Sequence, residues 1–188
     1  MALLIAFAFI SIFFSFLCSI LEAVLLSITP NFIRIKTKEG KGYAETLANF
    51  KKDIDKPLIA ILTLNTIAHT VGAILVGDQA GKMAAESGYE MSILGINFVG
   101  LVSTIMTLAI LVLSEIIPKT IGATYWKSLG NFTAKTLSLI LILLKYTGIL
   151  WILMQVTKLV GKSAHVSTMS REEFMALTDA AEKEGVFE

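Results

Sequence analysis

The chain has 188 residues, 55% of them hydrophobic, and a net charge of only +1; a mean hydropathy of +0.74 excludes an ordinary soluble domain and reads as a membrane protein. Its single cysteine, Cys18, excludes a disulfide framework or a thiolate metal site built from one chain. The balanced charge conceals a segregation: Ala2 to Leu21, Leu58 to Gly77 and Met91 to Ser114 contain no Asp, Glu, Lys or Arg, and each is about the ~20 residues that cross a hydrocarbon core.

The first run lacks a basic leader and is too long for a signal-peptide core, so it reads as a retained span. Within it Ser11, Ser15, Ser19 and Glu22 follow at spacings that stack them on one helix face. The serines are either packing residues bonded to their own helix or the start of a polar lining. Glu22 is a functional candidate by cost alone, or a group near the cytoplasmic end that reaches water or Lys119.

The segment Pro30 to Pro57 carries seven Lys or Arg against four acids, which marks it as cytoplasmic and the N-terminus as outside. In the second run Asn65 is followed one turn later by His69, with Thr63, Thr66 and Thr70 nearby. Asn65 is either interhelical glue or an oxygen ligand for a hard cation, and His69 a packing residue, a metal ligand or a proton carrier. The connection Asp78 to Glu90 holds one Lys against three acids and reads as external.

The third run ends in LVLSEIIPKTIGATYW, Leu111 to Trp126. Pro118 has no N–H, so it frees the Ser114 carbonyl and is expected to kink or stop the helix just past Glu115, with Gly122 loosening the next turn. Broken membrane helices commonly turn freed carbonyls on ions. Glu115, backbone oxygens, Asn65 and the Ser19 face would form an oxygen cage with one negative charge, or two with Glu22, which suits a small hard cation. The alternative for Glu115 is a salt bridge to Lys119 four residues on.

A fourth apolar region, Thr136 to Thr157, is interrupted by Lys145. A fourth crossing would export the charged tail, so Tyr125 to Lys158 is expected along the cytoplasmic face as one or two amphipathic helices. Trp126, Tyr146 and Trp151 would anchor them, and Lys127, Lys135, Lys145 and Lys158 would face headgroups. The tail opens a helix at Ser170 with Glu173 as its capping-box partner and ends it near Gly185. Gly72, Ala73, Gly95 and Gly100 permit close contact in a dimer of membrane helices.

SEIIPKTIGATYW (Ser114 to Trp126) resembles the Glu-x-x-Pro-Lys signature of the CNNM/CorC, or cyclin M, family of magnesium transporters. SILEAVLLSITP (Ser19 to Pro30) is similar to the end of that family's first helix, TLNTIAH (Thr63 to His69) to its Gly-Asn turn, and the tail to the helix leading into its paired CBS domains. The resemblance implies an all-α membrane protein: three transmembrane helices, the first entering from outside, a cytoplasmic juxtamembrane helical belt, and a C-terminal cytoplasmic helix. It implies a membrane domain over residues 1–160 and a linker and helix over 161–188 before a CBS-pair domain. A homodimer in the bacterial inner membrane is expected, in contact with lipid and not with nucleic acid. The implied activity is Mg²⁺ efflux by alternating access, with Na⁺ as coupling ion, and no catalysis; an enzyme would need a second catalytic group near Glu115, for which His69 is the sole candidate. Carried over by position, the Mg²⁺ ligands fall on Ser19, Asn65 and Glu115, with backbone oxygens around Leu64, Ile121 and Gly122. Where the family has glycines this chain has Ile20, Leu64 and Ser114. The competing reading is a transport-inactive scaffold or ion sensor acting through the cytoplasmic domain.

Overall fold

The computed structural model describes residues 2–87, 98–149, 151–152 and 154–155, and all regular structure among them is helical. The expected capping box of the tail, its helix, Lys158 and Gly95 lie outside the described residues. Helix α1 (Ala2–Ser27) carries the uncharged run on past Glu22. Thr29 then turns the chain: it is extended, its Oγ1 accepts the Phe32 N–H, and Pro30 opens α2 (Pro30–Lys38), where the missing proline N–H costs nothing. Gly40, at φ 71°, reverses the chain into α3 (Gly42–Lys52), a conformation that favours glycine.

Helix α4 (Asp55–Ser87) runs well beyond Gly77. The expected external connection from Asp78 is therefore helical as far as Ser87. The local reason is a Lys82–Asp78 ion pair at 2.6 Å, one turn apart on an alanine-rich surface.

The third long helix is built of α5 (Phe98–Ala109), a π-helical segment Ile110–Ile116, and α6 (Ile117–Thr124). The expected break past Glu115 is thus a rewinding: the helix passes through Glu115 and continues to Thr124. Wide winding starts upstream of Pro118, with the Ile117 N–H reaching back to the Val112 carbonyl. Pro118 itself follows directly on the π-helical turn, in the first turn of α6, where its missing N–H leaves one upstream carbonyl without its helical donor. Tyr125 interrupts the helix before α7 (Trp126–Tyr146), and Gly148, at φ 72°, ends it.

Four helices are long and apolar enough to cross a membrane by length and composition: α1, α4, the composite third helix and α7. Contacts fix the directions of the first three. Ser11 of α1 abuts Gly72 of α4 and Ser15 meets His69, in antiparallel order. Ser15 and Glu22 meet Ser114 and Lys119 of the third helix in parallel order. Down, up and down again is the sequence three successive crossings require.

Helices α2, α3 and α7 gather around the C-terminal end of α1. Val24, Ile28, Phe32, Ile33, Leu47 and Ala134 form a buried cluster there, sealed by Trp126 standing edge-on to Phe32 at 5.0 Å. Lys51 of α3 closes the same end by donating to the Leu26 carbonyl at 3.2 Å, one of the acceptors a helix C-terminus leaves open. Elsewhere large side chains such as Phe9, Leu62 and Ile105 are exposed, the surface hydrocarbon solvates.

Candidate functional site

The expected serine face of α1 is buried and packed. Ser11, Ser15 and Ser19 are 4%, 0% and 0% exposed, which removes them from lipid and from bulk water. Ser11 donates to the Ala68 carbonyl at 2.7 Å. A Cβ at Gly72 would overlap the Ser11 side chain, so Gly72 serves contact within the chain rather than the dimer face expected of it.

One turn on, Ser15 joins three helices. Its Oγ is hydrogen-bonded to His69 Nε2 and lies 3.0 Å from Ser114 Oγ. Ser114 spends its one hydrogen on the Ile110 carbonyl at 2.6 Å. It therefore accepts from Ser15, and Ser15 in turn must accept from His69. Nε2 of His69 thus carries a proton, and the imidazole is not a base for Ser15. In this arrangement the Ser15 proton points to Ser114 and not to the imidazole, although Ser15, His69 and Glu115 follow one another. The other ring nitrogen, Nδ1, is 3.8 Å from Glu115 Oε1, so His69 connects the second helix to the one carboxylate of the third.

Continuing the antiparallel register by one turn of each helix sets Ser19 of α1 opposite Asn65 of α4. Ser19 Oγ and Asn65 Oδ1 are buried without a hydrogen-bond partner. A buried oxygen of this kind costs free energy unless something meets it, and here two are drawn from the same predicted ligand set. Thr133 Oγ1 on α7 is the third such atom among the described residues; no sequence signal pointed to it.

Glu115 is one-third exposed. Lys119 is paired with Glu22 at 3.4 Å, across two helices, rather than with Glu115 along its own. Glu115 is therefore left to His69, and Glu22 has its charge answered one turn further along α1. Gly122 lets α6 approach α1: a Cβ there would stand 2.8 Å from Ala23 Cβ and 3.0 Å from the Ile20 carbonyl oxygen. The Ile121 carbonyl already accepts the Tyr125 N–H at 2.8 Å, leaving it one lone pair.

Each side chain standing in place of a family glycine has its own accommodation. Leu64 turns into an apolar cleft with Phe14 and Ile67, Ile20 packs on the cluster at the end of α1, and Ser114 becomes the acceptor for Ser15. The donor set is all oxygen beyond His69, and among the described residues no three His, Cys, Asp or Glu side chains converge. These residues fit a hard cation held by one carboxylate and neutral oxygens. The π-helical turn fits the same reading, since such turns recur where a helix carries function.

A family model described as "Cyclin M transmembrane N-terminal domain" matches residues 5–188. The "UPF0053 protein sll1254" of Synechocystis sp. is 28% identical over 185 residues, covering 98% of this chain and 50% of that protein. The chain thus spans about half the length of the curated relative it matches.

Proposed function

The chain belongs to the cyclin M transmembrane-domain family, and from that premise we propose that it is the membrane domain of a divalent-cation transporter whose substrate is Mg²⁺. The observation that carries this reading is the pair of buried, unpartnered oxygens, Ser19 Oγ and Asn65 Oδ1, one turn from the Ser15–His69–Glu115 line. Ser19 and Asn65 are the neutral ligands and Glu115 the charge that offsets lost hydration. Backbone oxygens near Leu64, Ile121 and Gly122 complete the set, the Ile121 carbonyl through its free lone pair. His69 holds Glu115 toward α4.

The cycle we assign is efflux by alternating access, with Na⁺ as coupling ion, in a homodimer of the bacterial inner membrane joined to a cytoplasmic CBS-pair domain. Transport rather than catalysis is supported by the family the chain belongs to. Three crossings with α7 along the cytoplasmic face are supported by the company α7 keeps: Gly130 lies against Phe32 and Leu47, and α2 and α3 belong to the lysine-rich segment that positive charge assigns to the cytoplasm.

The test is Mg²⁺-dependent thermal stabilisation of the purified chain, beside Mg²⁺ efflux from loaded proteoliposomes with and without a Na⁺ gradient. Ligand at 100 times its Kd stabilises by about 2.7 kcal/mol. Glu115→Gln keeps the side-chain volume and should abolish that gain; Asn65→Ala and Ser19→Ala should reduce it, in that order. Stabilisation without efflux would favour a sensor. No stabilisation in the parent would leave a scaffold, and loss in Glu22→Gln with none in Glu115→Gln would assign the charge to the wrong carboxylate.

A further inference from the structure

Helices α3 and α7 do not close on each other along their whole length. Between them lies a groove of about 460 Å³, beside the buried Gly130–Leu137 face of α7 and sharing Ala134 with it. Its two ends differ in chemistry. At one, Asn131 and Lys135 of α7 stand across from Tyr43 and Thr46 of α3. At the other, Leu139 and Ile142 line it with aliphatic surface, each more than half exposed. Ser138 lies between.

The charge is one-sided. None of the lining side chains is acidic, and Glu45, beside Thr46 in sequence, does not line the groove. Lys127 precedes Asn131 by one turn on the same stripe of α7 and lies over the Trp126 ring at 5.5 Å. Lys41 directly precedes Gly42, which forms part of the wall. One cation in the groove and two beside it, with hydroxyl and amide donors, suit a phosphodiester; the aliphatic end suits a hydrocarbon chain. Basic pockets between helices on the cytoplasmic side are where anionic headgroups bind.

We infer that the α3–α7 groove binds one anionic phospholipid, its phosphate at Lys135 and Asn131 and an acyl chain along Leu139 and Ile142. The inference needs α7 to lie at the membrane surface, and it is independent of the ion site, since its readout is lipid retention and not transport.

Native mass spectrometry of the full chain in mixed micelles reads it directly, with phosphatidylglycerol and phosphatidylcholine of matched chains as probes. Phosphatidylglycerol should be retained in preference to phosphatidylcholine, and Lys135→Ala should weaken that retention about fivefold, the worth of one surface lysine. Lys135→Arg should keep it, and Lys82→Ala, at the far end of α4, should leave it unchanged. Ile142→Asp should weaken both lipids, with circular dichroism confirming that each variant remains helical. Equal retention of the two lipids, or no effect of Lys135→Ala, overturns the proposal. So does displacement of the lipid by millimolar inorganic phosphate, which would make this a small-anion site. Hydrogen exchange gives a second reading: α3 and α7 should become protected on adding phosphatidylglycerol, and equal protection without lipid would mean that protein covers the groove.

Discussion

Replacing Gly122 by alanine asks whether α6 is pressed against α1 as closely as the site needs. The added Cβ would meet Ala23 Cβ at 2.8 Å and the Ile20 carbonyl oxygen at 3.0 Å, where carbon pairs pack best at about 3.5–4.0 Å. Neither obstacle can rotate away, one being a backbone oxygen and the other a methyl fixed to its helix. The helices must therefore part by about 1 Å. Overpacking of this kind costs ~1–3 kcal/mol, and the gain in helix propensity on leaving glycine returns ~1 kcal/mol. With two rigid partners the balance should be a loss of about 1–2 kcal/mol. Gly130 is the matched control, because its added Cβ would lie 3.6 Å from Phe32 Cε1 and 3.7 Å from Leu47 Cδ1, ordinary contact that leaves the propensity gain intact. Denaturant unfolding of the solubilised chain, followed with and without Mg²⁺, separates the two. Gly122→Ala should unfold earlier and lose part of its Mg²⁺ stabilisation, since a displaced α6 shifts the adjoining π-helical turn that bears Glu115 relative to α1; Gly130→Ala should do neither. A Gly122→Ala protein as stable as its parent, beside a weakened Gly130→Ala protein, would refute the close-approach argument.

Ser114→Ala removes the acceptor for Ser15 inside a buried junction; a loss of about 0.5–2 kcal/mol is expected in the same unfolding assay, and an unchanged midpoint would mean that Ser15 has another acceptor. For topology, in a Cys18→Ser background a cysteine at Ala85 should react with an impermeant maleimide added to intact cells and one at Thr37 should not; the reverse labelling would invert the orientation. Burial holds the Lys51 ammonium below the ordinary lysine range, so just below that range the unfolded chain binds more protons than the fold, and this group's contribution to stability rises with pH. Lys51→Met should flatten that rise and uncap the Leu26 carbonyl, which unfolding measured at neutral and at alkaline pH would detect as a changed slope. Cross-linking in native membranes at low protein density should trap a two-subunit species, and monomers alone would count against the dimer.

Much of the architecture was legible because hydrocarbon imposes a severe local filter. A charge in its centre is expensive, so uncharged runs of span length announce α1, α4 and the third helix. Lysine segregation gives the expectation for their sides by the same logic. The serine face of α1 was readable too, since one helix alone stacks residues four apart. Asn65 and Glu115 stood out because polar and ionisable groups there are few. The limits of the helices were less legible. Charge marks where hydrocarbon ends, whereas hydrogen bonding continues through Asp78 and Lys82 into water, and the π-helical turn before Pro118 leaves no pattern in composition.

What only tertiary structure decided is which polar groups answer one another. Lys119 was within reach of Glu115 on its own helix and of Glu22 on another, and periodicity favours the first; packing of α6 on α1 through Gly122 selects the second. His69 reads alone as an isolated histidine, yet the register of α1 against α4 and of α1 against the third helix brings Ser15 and Glu115 to its two nitrogens. The α3–α7 groove joins residues far apart in the chain in the same way. Local sequence sets a helix and its faces through bonds spanning four or five residues, while the facing of one helix by another depends on side-chain volumes and close approaches summed along the whole interface.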